Sequence, residues 1–317
     1  MTNTVFLGSP ATAIPSLRAL MDCDQVRLVG VVTQPDRPAG RRRAPQPSPI
    51  KREAAALGVP VYTPERIGAE EALGVLRGWG SELAIVCAYG QIFPSSLLAL
   101  PRLGCFNLHF SLLPRWRGAS PVQAAILAGD TTTGVSLQRM VTALDAGDIV
   151  AETPPLPIAP QDTAQTLGTR LADAAAELLS ASLPLLVSGN PPLRPQDPAR
   201  VTSCRTLRKG DGAVDFTAES AVEIERKCRA YTPWPGCFAF VESRRLGLVR
   251  VALAQPPARG GGEPVRGALL EDGRLAARQG WARLVEVRPE GKRTMPFAAY
   301  RNGNPAAIGT VLKPAPA

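Results

Sequence analysis

The chain is expected to be α/β, with a Rossmann-like, mostly parallel sheet domain followed by a small OB-like β-barrel domain. Three observations carry this. Short apolar, β-branched runs alternate with helix-period segments up to residue 187, which is the signature of a parallel sheet covered on both faces. A proline-rich stretch, residues 189–200, then interrupts the pattern. Beyond it, short strand-like stretches follow one another, punctuated by glycine. A length of 317 residues suits two domains better than one core or three. The expected division is a first domain over 1–189, a linker over 190–203 and a second domain over 204–317.

The elements follow in order. Residues 4–7 are an apolar run stopped by Gly8-Ser9-Pro10, and Ile14, Leu17 and Leu20 then recur at helical spacing. Residues 26–33 are rich in β-branched side chains and read as strand, 50–57 and 70–79 as helices, and 83–87 as a buried strand. Residues 105–110 form a further strand, at whose carboxyl end ligands sit in such folds. An alanine- and leucine-rich helix spans 163–187 and stops at Ser188-Gly189-Asn190-Pro191-Pro192. In the second part, 246–254 and 282–287 read as strands of a small OB-like barrel, an architecture used repeatedly on oligonucleotides, although many other all-β folds fit the same pattern. No internal repeat stands out.

Composition excludes several classes. Apolar residues make up 45% and charged residues 20%, the balance of a folded chain. The first residues, MTNTVFLGSP, carry no secretory or transit pattern, and the longest apolar runs are strand-sized, far short of the roughly 20 residues of a membrane span. A cytoplasmic protein with no membrane partner is expected. Six cysteines without a C-x-x-C pair and a single histidine argue for buried free thiols and against a metal site. The net charge of +9 is unevenly spread: +1 over residues 1–200 and +8 over 201–317. Such an excess suits a polyanionic partner, although Arg-rich surfaces that bind nothing are common. No coiled-coil heptad or long apolar edge advertises self-association, so a monomer is expected.

Gly8-Ser9-Pro10-Ala11 lacks the three spaced glycines of a dinucleotide fingerprint, so no NAD is expected. Phosphate-loop and G-x-S-x-G signatures are absent too. What remains is Asn107-Leu108-His109 at a strand end, followed by Ser111-Leu112-Leu113-Pro114-Arg115-Trp116-Arg117-Gly118. Period-two geometry puts Asn107 and His109 on one face. An amide that can donate to an oxyanion, beside a titratable imidazole, suits acyl transfer to an amine if both enter a crevice. A lone histidine near a strand end is more often structural; the surrounding motif turns the reading toward catalysis.

Residues 105–118 together with Leu144-Asp145-Ala146-Gly147-Asp148 closely resemble the formyltransferases that use 10-formyltetrahydrofolate. The resemblance implies a catalytic set of Asn107, His109 and Asp145, with Asp148 mostly structural. It implies direct transfer: the amine attacks the formyl carbon, Asn107 and protonated His109 stabilise the oxyanion, and Asp145 holds the imidazole and an ordered water that takes the amine proton. Tyr89, Gly90, Gln91 and Ile92 resemble the segment whose backbone receives the pterin ring, although an ordinary strand-to-helix turn fits the same residues. With Ser111, Leu112, Leu113 and Pro114 they form the folate-binding set that the resemblance implies. 10-Formyltetrahydrofolate would be a formyl-donating cosubstrate, with no metal.

Residues 31–43, VVTQPDRPAGRRR, resemble the loop with which one branch of the family, the methionyl-tRNA formyltransferases, grips the acceptor end of tRNA. Arg37, Arg41, Arg42 and Arg43 are the tRNA-binding residues so implied, and a Pro/Gly-rich loop bearing three consecutive arginines can reach phosphates. Residues 229–236 and 291–295 resemble stretches of the family's second domain, where Trp234 and Pro235 are read as core rather than as RNA contacts. The function implied is transfer of the formyl group to the free amino group of methionyl initiator tRNA, supporting translation initiation.

Two stretches depart from the family pattern. Phe110 replaces a small residue, and 201–212 lacks the usual lysine-containing sequence, which leaves individual RNA contacts there undefined. The rivals are a formyltransferase acting on a nucleotide-linked amino sugar, expected to lack the Arg41–Arg43 loop, and a hydrolase releasing formate from the same folate. A purine-pathway formyltransferase would leave 190–317 unexplained, and a noncatalytic RNA-binding protein would be expected to have lost part of the Asn, His, Asp set.

Overall fold

The computed structural model describes residues 1–39, 44–258 and 264–315. Arg41, Arg42 and Arg43 lie outside the described residues. The chain divides into two compact units. One comprises Met1–Pro121, Thr132–Pro157 and Gly168–Arg205; the other comprises Val122–Thr131, Ile158–Leu167 and Thr206–Ala317.

In chain order the first elements are β1 (Thr2–Gly8), α1 (Ile14–Met21), β2 (Val26–Val32), the paired β3 (Arg37–Ala39) and β4 (Ala44–Gln46), α2 (Pro49–Ala56), β5 (Val61–Tyr62) and α3 (Glu70–Gly78). There follow β6 (Leu83–Cys87), α4 (Ser95–Leu98), β7 (Cys105–His109), β8 (Arg117–Gly118), α5 (Pro121–Ala128), β9 (Thr132–Thr133), β10 (Ser136–Arg139), β11 (Ile149–Glu152), β12 (Leu156–Pro157), α6 (Ala164–Val187) and β13 (Ser203–Cys204). Among the described residues, the main sheet has seven strands in the order β11-β10-β7-β6-β1-β2-β5. The pairs from β7 to β5 are parallel, whereas β10 and β11 run antiparallel at one edge.

Why the sheet forms is plain from its burial. Val5, Phe6 and Leu7 of β1 and all of β6 are buried, as strands covered on both faces must be. On one face Val5, Leu7, Val32, Ala84 and Val86 pack with Leu73 and Leu76 of α3 and with Phe93 and Leu97. Helix α2 starts where Ser48 Oγ accepts from Lys51 N at 2.9 Å, with Pro49 as its first residue, the usual N-cap economy. From β1 the chain builds outward to β2 and β5, then returns to place β6 on the other side. The carboxyl ends of β1 and β6 therefore flank a topological switch point, where α/β sheets open a crevice. The alternation in the sequence reveals the parallel strands β1, β2, β6 and β7 but not the two-residue β5, nor β10 or β11. Strand β10 carries Ser136 and Gln138, both buried, so polar residues occupy the positions where the period-two signal needs apolar ones.

The second unit continues with α7 (Ala221–Ala230), β14 (Cys237–Val241), β15 (Arg244–Ala254), β16 (Arg274–Ala276), β17 (Trp281–Pro289), β18 (Met295–Pro296), α8 (Phe297–Gly303) and β19 (Leu312–Lys313). Its antiparallel sheet has the order β16-β17-β15-β14-β19, with β18 on β17. Register shifts beside Arg250 bend β15, as bulges do, and the sheet curls into an OB-like half-barrel over Phe216, Ile224, Leu248, Leu284 and Val287. Trp234, expected in the core, is instead 50% exposed. It lies in the turn between α7 and β14, which reverses at Gly236 with φ 77°, so its ring is not carried inward by either element.

The six cysteines are free. Cys87, Cys105, Cys228 and Cys237 are buried, while Cys23 and Cys204 are partly so. Burial pushes the Cys87 and Cys105 thiols up to about 12, so both are neutral, inert packing groups at ordinary pH.

Candidate active site

Strand β7 puts Leu108 into the core and turns Asn107 and His109 to the opposite face. His109 is buried, and its Nε2 lies 2.8 Å from the carbonyl oxygen of Trp116. A carbonyl only accepts, so Nε2 bears the proton. Nδ1 is then the atom free to exchange one, and it faces Asp145 Oδ2 at 3.6 Å. Trp116 can direct its carbonyl at the imidazole because its backbone takes φ 59°, an uncommon conformation for a bulky residue, anchored by its N–H on Thr202 Oγ1 at 2.8 Å.

Asp145 is held from several sides. Its Oδ2 accepts from Gly118 N at 2.8 Å; Oδ1 accepts from Gln138 Nε2 at 2.8 Å and, at the long limit of 3.5 Å, from Asn107 Nδ2. The Asp145 backbone is left-handed, φ 48°. Its carbonyl and that of Gly147 accept from Gln196 Nε2 at 2.9 and 2.7 Å, and Gln196 Oε1 accepts from the Arg117 guanidinium at 2.8 and 2.9 Å. Asn107, His109 and Asp145 thus converge at one strand end. Asp148 contributes a main-chain contact that closes the loop: its carbonyl accepts from Arg139 N at 2.9 Å.

Beside these residues, β13 pairs with β8 in register Ser203 to Arg117 and Cys204 to Gly118. The Cys204 thiol lies 3.5 Å from Trp116 O and accepts from Ser120 N at 3.4 Å. Burial, ahead of the nearby Asp145 charge, pushes that thiol up, so it acts as a weak hydrogen-bonding wall rather than a nucleophile. Phe110 is half-buried immediately after His109.

The residues suggested for folate fall into two groups. Tyr89 is buried with its carbonyl accepting from Ser9 Oγ at 3.2 Å and Gln34 Nε2 at 3.0 Å, and its phenol oxygen has no partner among the described residues. Gly90 has φ 89°. Gln91 is fixed by Ile67 N and Pro64 O, while Ile92, 85% exposed, stands at the lip of a cleft of about 560 Å³ that Arg66, Gly68 and Pro94 also line. This group therefore presents backbone and one apolar side chain to an open cleft. Ser111 to Pro114 form the second group. Ser111, Leu113 and Pro114 are buried, Leu113 N donates to Ser136 Oγ at 2.9 Å, and Ser111 Oγ donates to Arg115 O at 2.5 Å. They shape the turn that leads from His109 to Trp116. Arg37 is exposed on β3, 3.3 Å from Glu65.

Several contributors carry no sequence signal of their own. Trp116 acts through a carbonyl, Gly118 through an N–H, and Gln138 and Gln196 lie outside the two motifs. Among the described residues no helix is long and apolar enough to cross a membrane.

Residues 2–183 match the formyl transferase family and residues 206–305 its C-terminal domain. The methionyl-tRNA formyltransferase of Acidiphilium cryptum (strain JF-5) is 43% identical over 97% of this chain and 98% of its own length. That of Thermus thermophilus is 42% identical over 98% of this chain and 99% of its own. In fold the chain is similar to WlaRD, a sugar 3N-formyl transferase solved with dTDP and 5-N-formyl-THF, at a TM-score of 0.65, 16% identity and 92% of this chain against 99% of that one. HypX from Aquifex aeolicus, solved with tetrahydrofolic acid, superposes at a TM-score of 0.62, with 15% identity over 95% of this chain and 47% of that one. With both of its domains matched and relatives above 40% identity along almost its whole length, the chain belongs to the formyl transferase family, in the methionyl-tRNA formyltransferase branch.

Proposed function

We propose that this enzyme of formyl transfer moves the formyl group of 10-formyltetrahydrofolate onto the free amino group of methionine esterified to initiator tRNA, the step that supports translation initiation. The observation that carries the reading is the convergence of Asn107, His109 and Asp145 at the carboxyl end of β7, in a chain whose full-length relatives carry that name. The donor is folate-derived, as the family implies. The cleft beside Tyr89 to Ile92 suits the flat pterin, because main-chain groups at Gly90 can meet its polar edge and Ile92 can cover its face. Ser111 to Pro114 set the wall of the crevice.

The chemistry proposed is the direct transfer that the family resemblance implies, and the geometry supports it. The neutral amine attacks the formyl carbon and a C–N bond forms while the carbonyl oxygen becomes an oxyanion. Asn107 Nδ2 donates to that oxygen, and His109, protonated on Nδ1, donates as well. An ordered water held by Asp145 takes the proton of the attacking amine, the bond from carbon to N10 breaks and N10 takes a proton, so no proton is gained or lost overall. His109 Nδ1 is the side chain's exchanging atom, since Trp116 O occupies Nε2. Asp145 Oδ2 stabilises the imidazolium from 3.6 Å. Arg37 and Arg41 to Arg43 are proposed to hold tRNA phosphates, and the net +8 beyond residue 200 supports further phosphate contacts from the second domain.

The test is formylation of methionyl initiator tRNA by the pure protein with 10-formyltetrahydrofolate, beside Asn107→Ala and His109→Ala. Loss of one oxyanion donor is expected to lower kcat about 10²- to 10³-fold. Consumption of the donor without a tRNA product would point to a hydrolase, and transfer to an amino sugar nucleotide but not to tRNA would point to the sugar-directed branch.

A further inference from the structure

We propose that Gln138 is a positioning residue of the formyl-transfer site, holding one oxygen of the Asp145 carboxylate so that the other stays directed at His109. The inference rests on the reading of Asp145 and His109 given above. Its basis is the register of β10 on β7, where Gln138 lies directly opposite Asn107 and Ser136 directly opposite His109. All four side chains therefore share one face. Gln138 is 1% exposed, and its Nε2 donates to Asp145 Oδ1 at 2.8 Å. A carboxylate accepts and does not donate, so the amide can face it only with its nitrogen.

The other end of the amide has no such bond. With Nε2 committed to Asp145, Oε1 is buried and has no partner among the described residues. An orphaned buried carbonyl is unfavourable, and a leucine or methionine would fill the same space without one. Packing therefore does not account for glutamine at this position; the hydrogen bond to Asp145 does.

What that bond fixes is the rotation of the carboxylate. The terminal torsion of an aspartate is soft. Gly118 N holds Oδ2 at 2.8 Å, but Asn107 reaches Oδ1 only at 3.5 Å, a weak contact. Gln138 thus supplies the short bond on the Oδ1 side. Without it the carboxylate can turn about the Gly118 contact and lose its alignment with His109 Nδ1. The titratable groups facing Asp145 are His109 from β7 and the Cys204 thiol from β13; Gln138 and the Gly118 amide are the neutral donors to it.

The experiment compares Gln138→Met, Gln138→Glu and Asp145→Asn with the parent enzyme, measuring kcat, KM for each substrate and the pH dependence of kcat. The methionine variant keeps the side-chain length and removes the donor. It is expected to lose about 10- to 100-fold in kcat, the scale of a small misplacement at a reacting centre, with both KM values within about twofold of the parent. Gln138→Glu is expected to be impaired at pH 8 and to recover as pH falls, because the introduced carboxyl can donate to Asp145 only when it is protonated. The parent should show no such recovery. A purely structural role would move stability and KM without inverting the pH profile. Parental kcat in Gln138→Met, with Asp145→Asn inactive, overturns the proposal. Should Gln138→Met fail to fold, an unaltered pH profile in the isosteric Gln138→Glu overturns it equally. An active Asp145→Asn instead overturns the underlying reading of the site.

Discussion

At the scale of single residues, the site depends on two places where a side chain is forbidden. A Cβ built on Gly147 would stand 1.6 Å from Arg139 O, and one on Gly118, whose φ is 119°, would stand 2.0 Å from Cys204 O. Both neighbours are backbone, Arg139 in β10 and Cys204 in β13, so relief requires the Asp145 loop or β8 to move. Gly147→Ala is therefore expected to lower kcat about 10²-fold, since displacements near 1 Å at a reacting centre have that effect, while thermal unfolding shows the protein still folded. An unchanged kcat in folded Gly147→Ala would mean that the loop tolerates the shift. These residues also divide what a sequence can disclose from what it cannot. Asn107 and His109 fall in one short run whose residue types suit acyl transfer, whereas Asp145 is found in the sequence only through the family resemblance of residues 144–148. Trp116 contributes a carbonyl, which any residue possesses, and Gln196 reaches Asp145 from 51 positions away, within a stretch that reads as linker. Gln138 is hidden because its strand puts polar groups where the strand pattern calls for apolar ones.

At the scale of elements, the strands announced by β-branched runs are present, and α6 occupies nearly the span that its spacing predicts. The helix α7 stands amid the strands of the second unit, where glycine punctuation suggests strands alone, yet its start is written in the sequence. Ser220 and Glu223 form a capping box: Glu223 N donates to Ser220 Oγ at 3.2 Å and Ser220 N donates to Glu223 Oε2 at 2.7 Å. Ser220→Ala should destabilise the protein by about 1 kcal/mol in denaturant unfolding. The same box carries a pH signature. The backbone N–H of Ser220, then its hydroxyl, hold the Glu223 carboxyl below its ordinary range, with Arg278 adding a smaller pull. A carboxyl lower in the folded than in the unfolded state contributes stability above its unfolded pKa, about 4.3, and loses it as pH falls through the folded value. Glu223→Gln should thus lower stability near pH 7 and flatten the decline between about pH 5 and pH 3. Parallel curves for parent and variant across that window would remove the box from the acid limb.

At the scale of the whole molecule, charge separates the tRNA-directed reading from its sugar-directed rival, because both share the Asn, His and Asp chemistry. A nucleotide-linked sugar presents two phosphates, whereas a tRNA presents a chain of them and releases a counterion for each one neutralised. The excess of +8 beyond residue 200 and the run Arg41-Arg42-Arg43 are superfluous for the first substrate and useful for the second. Methionyl-tRNA binding should weaken steeply with salt, with a slope in log affinity against log salt of about 0.9 per neutralised phosphate. Replacing Arg41, Arg42 and Arg43 together by alanine should raise the KM for tRNA and make that slope shallower by about 0.9 for every phosphate that is no longer neutralised. The KM for the folate donor should remain at the parental value, since the donor is assigned to the cleft beside Ile92 that Arg66, Gly68, Gln91 and Pro94 line. A salt slope identical in the triple variant and the parent would take these arginines out of the RNA interface. The phosphate contacts would then have to come from the remaining basic residues, with the second domain as the first place to look.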